Sequence, residues 1–187
     1  MYPSNKKKKV WREEKERLLK MTLEERRKDY VRDYVPLNTI LPWKEEMKGK
    51  SQNDEENPQE ESQEKKSLSE KVSLYRGDIT VLEIDAIVNA DVIHTVGPIA
   101  RGHINSSHKE DLANCYKSSL KLVKENNIRS VAFPCISTGI YGFPNEPAAL
   151  IALGTIKEWL SKNHHQRCQI DLVIEPKLVG YASQFVV

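Results

Sequence analysis

From residue 72 onward, strand-like and helix-like segments alternate, and this alternation most limits the folds open to the chain. Short runs rich in β-branched residues predict strands at Val72–Arg76, Ile84–Asn89, Val92–Val96, Val131–Ile136 and Ile170–Ile174. Apolar residues recur at helical spacing after Ser107 and again after Asn145, which predicts two helices. Ser107–Glu110 also matches a capping box at the start of the first helix. The order β, β, β, α, β, α, β predicts an α/β fold with a largely parallel or mixed sheet.

The region before this alternating part has a different composition. Residues 47–70 contain only Met47 and Leu68 as sizeable apolar residues, too few to offset the entropy lost on ordering. Pro36 and Pro42 favour an extended docking segment over a helix. We therefore expect a basic helical arm and docking segment at 1–46, a disordered polar linker at 47–70, a compact domain at 71–175 and a divergent tail at 176–187.

Charge and cysteine content exclude several classes of protein. Residues 1–33 hold 12 Lys/Arg against 7 Asp/Glu, and the remainder holds 17 against 20, so the main body lacks a basic surface for nucleic acid. The Lys6–Lys9 run is either a nuclear-import signal or a solvated tail. No apolar run is long enough to span a membrane, and the three cysteines form no Cys-x-x-Cys pair. We expect no membrane segment, no structural zinc and a reducing compartment.

A glycine-containing loop, Ser137-Thr-Gly-Ile-Tyr-Gly142, lies between a nearly all-apolar strand and a helix start. In parallel sheets, ligands bind where strands end and helices begin. Small residues there allow main-chain N–H groups to converge on an anion, and the helix dipole adds to them. The alternative is a plain strand-to-helix turn that requires glycine for its backbone angles.

Polar side chains after the other strands each allow two interpretations. Asp78 either accepts a hydrogen bond from a ligand amine or hydroxyl, or caps the next turn. Asn89 either contacts a sugar hydroxyl or closes a turn. His94 is expected to be a buried strand histidine.

Possible metal and nucleophile sites are weaker. His164, His165 and Cys168 have poor metal-ligand spacing and are better explained as residues at a helix C-terminus. Cys135 is either a nucleophile or, in its apolar run, an inert buried thiol.

Four segments together resemble a known family. They are Leu74–Thr80 (LYRGDIT), Asp85–Ala90 (DAIVNA), Val92–Pro98 (VIHTVGP) and Pro134–Pro144 (PCISTGIYGFP). In this order they resemble a macrodomain of the MacroD type. The resemblance implies a three-layer α/β/α fold with a mixed sheet, ADP-ribose recognition, removal of mono-ADP-ribose from acidic side chains, and O-acetyl-ADP-ribose deacetylation. It implies no cofactor and no metal.

The resemblance also assigns ligand-binding roles. Asp78 matches the aspartate that contacts the adenine amine, and Ile79 offers a backbone contact. Tyr141 lies beside the distal ribose at the end of the second phosphate loop. The full ADP-ribose set implied is Gly77, Asp78, Ile79, Thr80, Asn89, Ser137, Thr138, Gly139, Ile140 and Tyr141.

The chain departs from the family pattern in two places. Ala90 is followed by Asp91 and then directly by Val92, and no two of the 8 glycines are adjacent, so the glycine-rich first phosphate loop is absent. The loop asparagine and aspartate that position substrate and water are absent with it, so no catalytic residue is assigned. From about Gln166 the resemblance ends. The pattern resembles a shortened, alternatively spliced form of a MacroD protein.

These departures predict a truncated, catalytically impaired macrodomain. The alternatives are a weakened ADP-ribose-binding module and a non-catalytic interaction fragment. The expected partners are ADP-ribose or mono-ADP-ribosylated proteins, without direct nucleic-acid or membrane contact. The resemblance further implies a monomer in nucleus and cytoplasm that acts in the DNA damage response.

Overall fold

The computed structural model describes residues 10, 13–14, 16–18, 20–48, 70–88, 93–165 and 168–173. The chain divides into two compact units, residues 1–34 and 35–187. The predicted linker lies almost wholly outside the described residues, as do the predicted tail and Asn89.

The described part of the first unit contains a short helix followed by irregular residues up to Tyr34. Its helix α1 is Leu23–Lys28, and Thr22 closes the helix N-terminus with a capping box. The Glu25 amide donates to Thr22 Oγ1 at 3.3 Å, and the Thr22 amide donates to Glu25 Oε2 at 2.8 Å. The sequence Thr22-Leu-Glu-Glu25 is by itself a capping-box pattern that predicts a helix start here, and these two hydrogen bonds confirm it.

The second unit is an α/β unit. Its helices are α2 (Trp43–Lys48), α3 (Ser106–Glu125) and α4 (Asn145–Lys162). Its strands are β1 (Val35–Pro36), β2 (Val72–Tyr75), β3 (Leu82–Glu83), β4 (Ala86–Ile87), β5 (Ser130–Phe133) and β6 (Gln169–Val173). One sheet pairs β1 with β3, and the other has the order β2-β6-β5-β4.

Every pair of these strands is parallel. Among the described residues, the antiparallel contact is an isolated bridge between Pro42 and Ser73. The sheet is therefore parallel rather than mixed over the part of the chain that the structure describes.

The predicted strand at Val92–Val96 does not form over its described residues, 93–96. Ile93 makes an isolated parallel bridge to Val88, and residues 94–100 have no regular structure. Only four residues separate Val88 from Ile93, whereas a parallel crossover needs a dozen or more. The segment is too close to β4 in sequence to extend this parallel pairing.

The last strand lies in the sheet interior. β6 pairs with β2 on one side and with β5 on the other, with Asp171 opposite both Ser73 and Ala132. The strand is shifted by one residue from the predicted Ile170–Ile174 and occupies an interior position in the sheet.

A single apolar core joins the sheet to both long helices. The ring centroids of Tyr116 on α3 and Phe133 on β5 are 5.2 Å apart. α3 begins at Ser106 with Asn105 as its N-cap, two residues before the Ser107 N-cap of the predicted capping box. Asn105 Oδ1 accepts from the His108 amide at 2.9 Å, and the Asn105 amide donates to His108 Nδ1 at 3.3 Å. The fully buried members include Val88, Leu112, Leu120, Val123, Val131, Phe133 and Ile170.

The docking segment belongs to the second unit. Val35–Pro36 pairs with Leu82–Glu83, and Trp43 is only 3% exposed within the core. The compact units accordingly divide at Tyr34 and not at residue 46. Helix α2 starts directly after Pro42, which is compatible with a helix because the first helical N–H groups need no partner.

Candidate functional site

The loop between β5 and α4 is tightly folded on itself. The Phe143 amide donates to the Ser137 carbonyl at 2.8 Å, and the Gly142 amide donates to the Gly139 carbonyl at 2.9 Å. Ser137 and Gly142 both have positive φ, +66° and +63°. A non-glycine residue at positive φ is uncommon and is kept only where its surroundings fix it. The loop is therefore a defined structure rather than a simple connection.

Three successive amides of this loop have no hydrogen-bond acceptor among the described residues. No described residue accepts from the main-chain N–H groups of Gly139, Ile140 or Tyr141. The Ile140 side chain is fully exposed at 101%. α4 begins a few residues later at Asn145, and Pro144 provides no side-chain cap. Unpaired amides beside the positive end of an 18-residue helix are the pattern of an anion site.

A second segment supports this loop from the side. The Tyr141 carbonyl accepts from the amides of Ala100 and Arg101 at 2.8 and 2.9 Å. The Gly142 carbonyl accepts from the Gly102 amide at 2.8 Å. The sequence patterns did not indicate this contact, because the segment was expected to form a strand and a free loop.

The Gly77–Thr80 group lies after β2, and its carboxylate is used within the protein. Asp78 Oδ1 accepts from the Thr80 amide at 2.8 Å and from the Thr80 hydroxyl at 2.6 Å, as the cap of a short 3-10 turn at Ile79–Val81. The capping alternative for Asp78 is thus what the structure shows. Its predicted contact with an adenine amine stays a prediction.

The Gly77–Thr80 group and the β5–α4 loop both follow the carboxyl ends of strands in the same sheet. β2 and β5 run parallel and are separated by β6, so their carboxyl ends are about two strand spacings, or about 10 Å, apart. The described residues alone do not show them lining one hollow. An open groove of about 330 Å³ instead lies between residues 95–98 and α3, with Asp111, Asn114, Cys115 and Ser118 on the helix side. It contains none of the predicted site residues.

The remaining titratable candidates do not form a reactive site. Burial raises the pKa of Cys168 to about 12, with Asp85 and Asp171 adding to the effect, so this thiol stays protonated and inert. Cys135 is half-buried and Cys115 is buried. Burial likewise raises the pKa of Tyr116. The described residues contain no cluster of three or more potential metal ligands.

His94 corrects one expectation. The His94 side chain is exposed and not buried, because residues 94–100 are irregular and His94 does not lie in a strand of the sheet.

One buried carboxylate has no satisfactory partner. Asp171 on β6 is fully buried, and neither oxygen has a hydrogen bond of acceptable geometry to a described residue. Burial raises the pKa of Asp171 from 3.8 to about 6, while the nearby Ser73 hydroxyl and Gln169 amide lower it in part. Gln169 Nε2 donates to Ser73 Oγ at 2.6 Å instead of to the carboxylate.

Among the helices that the structure describes, none is long and apolar enough to cross a membrane.

Comparison with known proteins identifies relatives over most of the chain. The macro domain family matches residues 48–152. Human "ADP-ribose glycohydrolase MACROD2" is 69% identical over an alignment of 215 residues that covers 89% of this chain and 51% of that protein. The rat "ADP-ribose glycohydrolase MACROD1" is 38% identical, with 82% of this chain and 78% of that protein covered. The chain spans about half the length of the MACROD2 relatives that it matches in human and mouse.

Solved structures show the same fold at lower identity. The macro domain of ganglioside induced differentiation associated protein 2 has a TM-score of 0.57 at 18% identity, covering 82% of this chain and 94% of that one. The Trypanosoma brucei macrodomain in complex with ADP-ribose has a TM-score of 0.55 at 20% identity, covering 82% and 78%. On the family match, the identity to MacroD proteins and the shared fold, this chain belongs to the macrodomain family, in its MacroD branch.

Proposed function

We propose that this chain binds ADP-ribose through main-chain amides of the β5–α4 loop and does not efficiently hydrolyse ADP-ribosyl esters. The observation that carries the proposal is the row of N–H groups at Gly139, Ile140 and Tyr141, which donate to none of the described residues and precede the N-terminus of α4. A diphosphate supplies acceptor oxygens and negative charge, which match such amides and the helix dipole. The MacroD relatives are named as ADP-ribose glycohydrolases, and a related macrodomain is described with ADP-ribose.

The loss of hydrolase activity is supported by the sequence. Alignment to human MACROD2 extends over 215 residues, more than the 187 residues of this chain, so the relative has residues within the matched region that this chain lacks. The absent glycine-rich loop after Ala90 accounts for such a gap. A reaction that needs a positioned water and an oriented ribose loses orders of magnitude in rate when the groups that hold them are removed.

Calorimetric titration with ADP-ribose tests the binding proposal, and two variants at one position test its mechanism. Ile140→Pro removes the amide hydrogen, whereas Ile140→Ala keeps it, and the exposed side chain makes neither change disruptive to the core. We expect saturable binding by the native chain and by Ile140→Ala. Ile140→Pro should bind about 10- to 100-fold more weakly, since one hydrogen bond to a charged group is worth about 1.5–3 kcal/mol. Equal binding by all three proteins, or none by the native chain, contradicts the proposal.

The proposed lack of efficient hydrolysis is tested separately. The assay measures release of ADP-ribose from a protein that is mono-ADP-ribosylated on acidic side chains. We expect no release above the rate in buffer. Turnover that disappears in Asp78→Ala would show that this chain remains a hydrolase.

One observation favours an interaction fragment as the second candidate. Three large apolar side chains of the β5–α4 loop and of the segment beside it are exposed, namely Val96 by 79%, Ile99 by 55% and Ile140 by 101%. Exposed apolar side chains are typical of surfaces that contact other molecules when they form a continuous patch. A chain that melts cooperatively but shows no rise in melting temperature with ADP-ribose would favour this candidate.

We also infer that the chain is monomeric and that mono-ADP-ribosylated proteins are its partners. Distribution between nucleus and cytoplasm, with a role in the DNA damage response, is supported only by the family likeness and by the Lys6–Lys9 run. Fluorescence of a tagged chain, with and without replacement of that run by Ala, tests the location.

A further inference from the structure

Gly97 lies in the segment of residues 94–102, which supports the β5–α4 loop, and the structure has no room for a side chain at this position. A Cβ atom built at Gly97 would stand closer than 3.0 Å to Ser137 Oγ and 2.7 Å from Ile136 Cγ2. Real Cβ atoms essentially never come within 3.0 Å of another heavy atom. The φ angle of Gly97 is not positive, so space rather than backbone conformation explains the glycine.

The Ser137 side chain occupies the space that Gly97 leaves free. Ser137 Oγ is buried and has no hydrogen-bond partner among the described residues. Its backbone is in the left-handed region at φ +66°, and its carbonyl accepts the Phe143 amide that closes the loop. Such a conformation persists when the surroundings over-determine it. The position of this side chain against Gly97 is one part of those surroundings.

The segment that carries Gly97 is itself held in place. Cys115 Sγ on α3 lies 3.5 Å from the Val96 carbonyl and donates to it. Farther along, Ala100, Arg101 and Gly102 donate to the carbonyls of Tyr141 and Gly142. Because both ends are fixed, the segment cannot easily move aside to admit a side chain at position 97. The strain would fall on Ser137 and the loop after it.

We propose that Gly97 is a positioning residue for the β5–α4 loop, which sets the directions of its free amides by giving Ser137 a place for its side chain. This inference rests on the proposed binding of ADP-ribose by that loop. The Ser137 hydroxyl then has a structural role, because it faces Gly97 in the protein interior. Contact with the ligand is made by the main chain of the loop.

The structural half is tested without any ligand. In Gly97→Ala, hydrogen exchange of the Gly142 and Phe143 amides, which donate inside the loop, should speed up at least about tenfold, because their acceptors shift. The amides in the middle of α3 should keep their exchange rates, which shows that the domain remains folded. Gly154→Ala, at a helical glycine with no atom within 4 Å of an added Cβ, is the matched control and should leave the loop unchanged. Unaltered exchange at Gly142 and Phe143 in Gly97→Ala overturns the inference.

The binding half is tested by a double-mutant cycle measured by calorimetry with ADP-ribose. Gly97→Ala should weaken binding at least about tenfold when Ser137 is present. In a Ser137→Gly background, where the clashing Oγ is removed and only the contact with Ile136 Cγ2 remains, the same change should weaken binding clearly less than it does when Ser137 is present. Equal costs in both backgrounds would show that Gly97 does not act through Ser137. Absence of binding by the native chain would count against the proposed function, while the exchange experiment would still decide the role of Gly97.

Discussion

The two faces of the parallel sheet carry opposite chemistry, although the same strands build both. Alternate side chains of β2, β5 and β6 meet the long helices and are apolar, among them Val72, Val131, Phe133 and Ile170. The other face carries Ser73, Ser130, Gln169 and Asp171 together with the small apolar Ala132, so it is mostly polar. A strand can therefore pair with its neighbours inside a sheet although some of its side chains, such as the Asp171 carboxylate, are unfavourable to bury.

The helix-covered face positions the candidate site. It fixes the end of β5 and the start of α4, and the β5–α4 loop connects those two points. The opposite face contributes the Asp171 carboxylate, which is buried without a hydrogen-bond partner among the described residues. We therefore expect changes on the first face to destabilise the domain and removal of the charge on the second to stabilise it.

The largest expected effect is on the helix-covered face. Phe133→Ala should lower the free energy of unfolding by about 3–5 kcal/mol, because a fully buried ring is replaced by a cavity. Urea denaturation followed by circular dichroism measures this. Ile140→Ala removes a fully exposed side chain and should change stability by less than about 0.5 kcal/mol. Similar values for the two variants would contradict the assignment of the core.

Asp171 should show the opposite sign. Its pKa is raised by burial from 3.8 unfolded to about 6 folded, so the folded state holds the proton more tightly. Stability should therefore be greatest below pH 4 from this group and should fall as the pH rises through 6, by about 3 kcal/mol in total. Asp171→Asn should remove most of that pH dependence and stabilise the domain at pH 7.5.

Melting curves of the native chain and Asp171→Asn between pH 4 and pH 8 provide the measurement. Acid unfolding from other carboxylates affects both proteins equally, so the difference between them isolates Asp171. A native chain that gains stability relative to Asp171→Asn as the pH rises would show that this carboxylate is paired in solution.

Asp78 provides a contrast between a satisfied and an unsatisfied carboxylate. Asp78→Ala should destabilise the domain by about 1 kcal/mol, because the Thr80 amide and hydroxyl lose their acceptor. Asp78→Asn keeps one acceptor oxygen and should cost less. The unfolding free energies of both variants, measured at pH 7.5, test this, and a stabilising effect of Asp78→Ala would refute the capping role.

The smallest effect is expected within α4. Gly154→Ala should stabilise the domain by about 0.5–1 kcal/mol, because alanine loses less conformational freedom in a helix and meets no atom within 4 Å. Thermal melting measures it, and a loss of stability would show that α4 packs more closely at this position than the structure shows.

Local patterns accounted for much of the fold. The capping box at Thr22, the apolar spacing of α3 and the helix start at Asn145 all follow from short-range rules, and the structure confirms them. The order of motifs identified the family. The loop between Ser137 and Tyr141 was selected because it joins a covered strand to a helix, which is a local pattern as well.

The remaining features depended on contacts between distant residues. The sequence predicted a strand at Val92–Val96, but the distance along the chain to β4 is too short for a parallel crossover. It gave no indication that Trp43 would enter the core or that Ser137 would require a glycine at position 97.

By itself, the sequence determined the types of element, their order and the family, because periodicity and motif order are encoded locally. Only the tertiary structure decided that the last predicted strand would lie in the sheet interior, that Asp171 would be buried there, and that three loop amides would donate to none of the described residues. The physical reason is that burial and hydrogen-bond pairing depend on which distant backbone lies alongside.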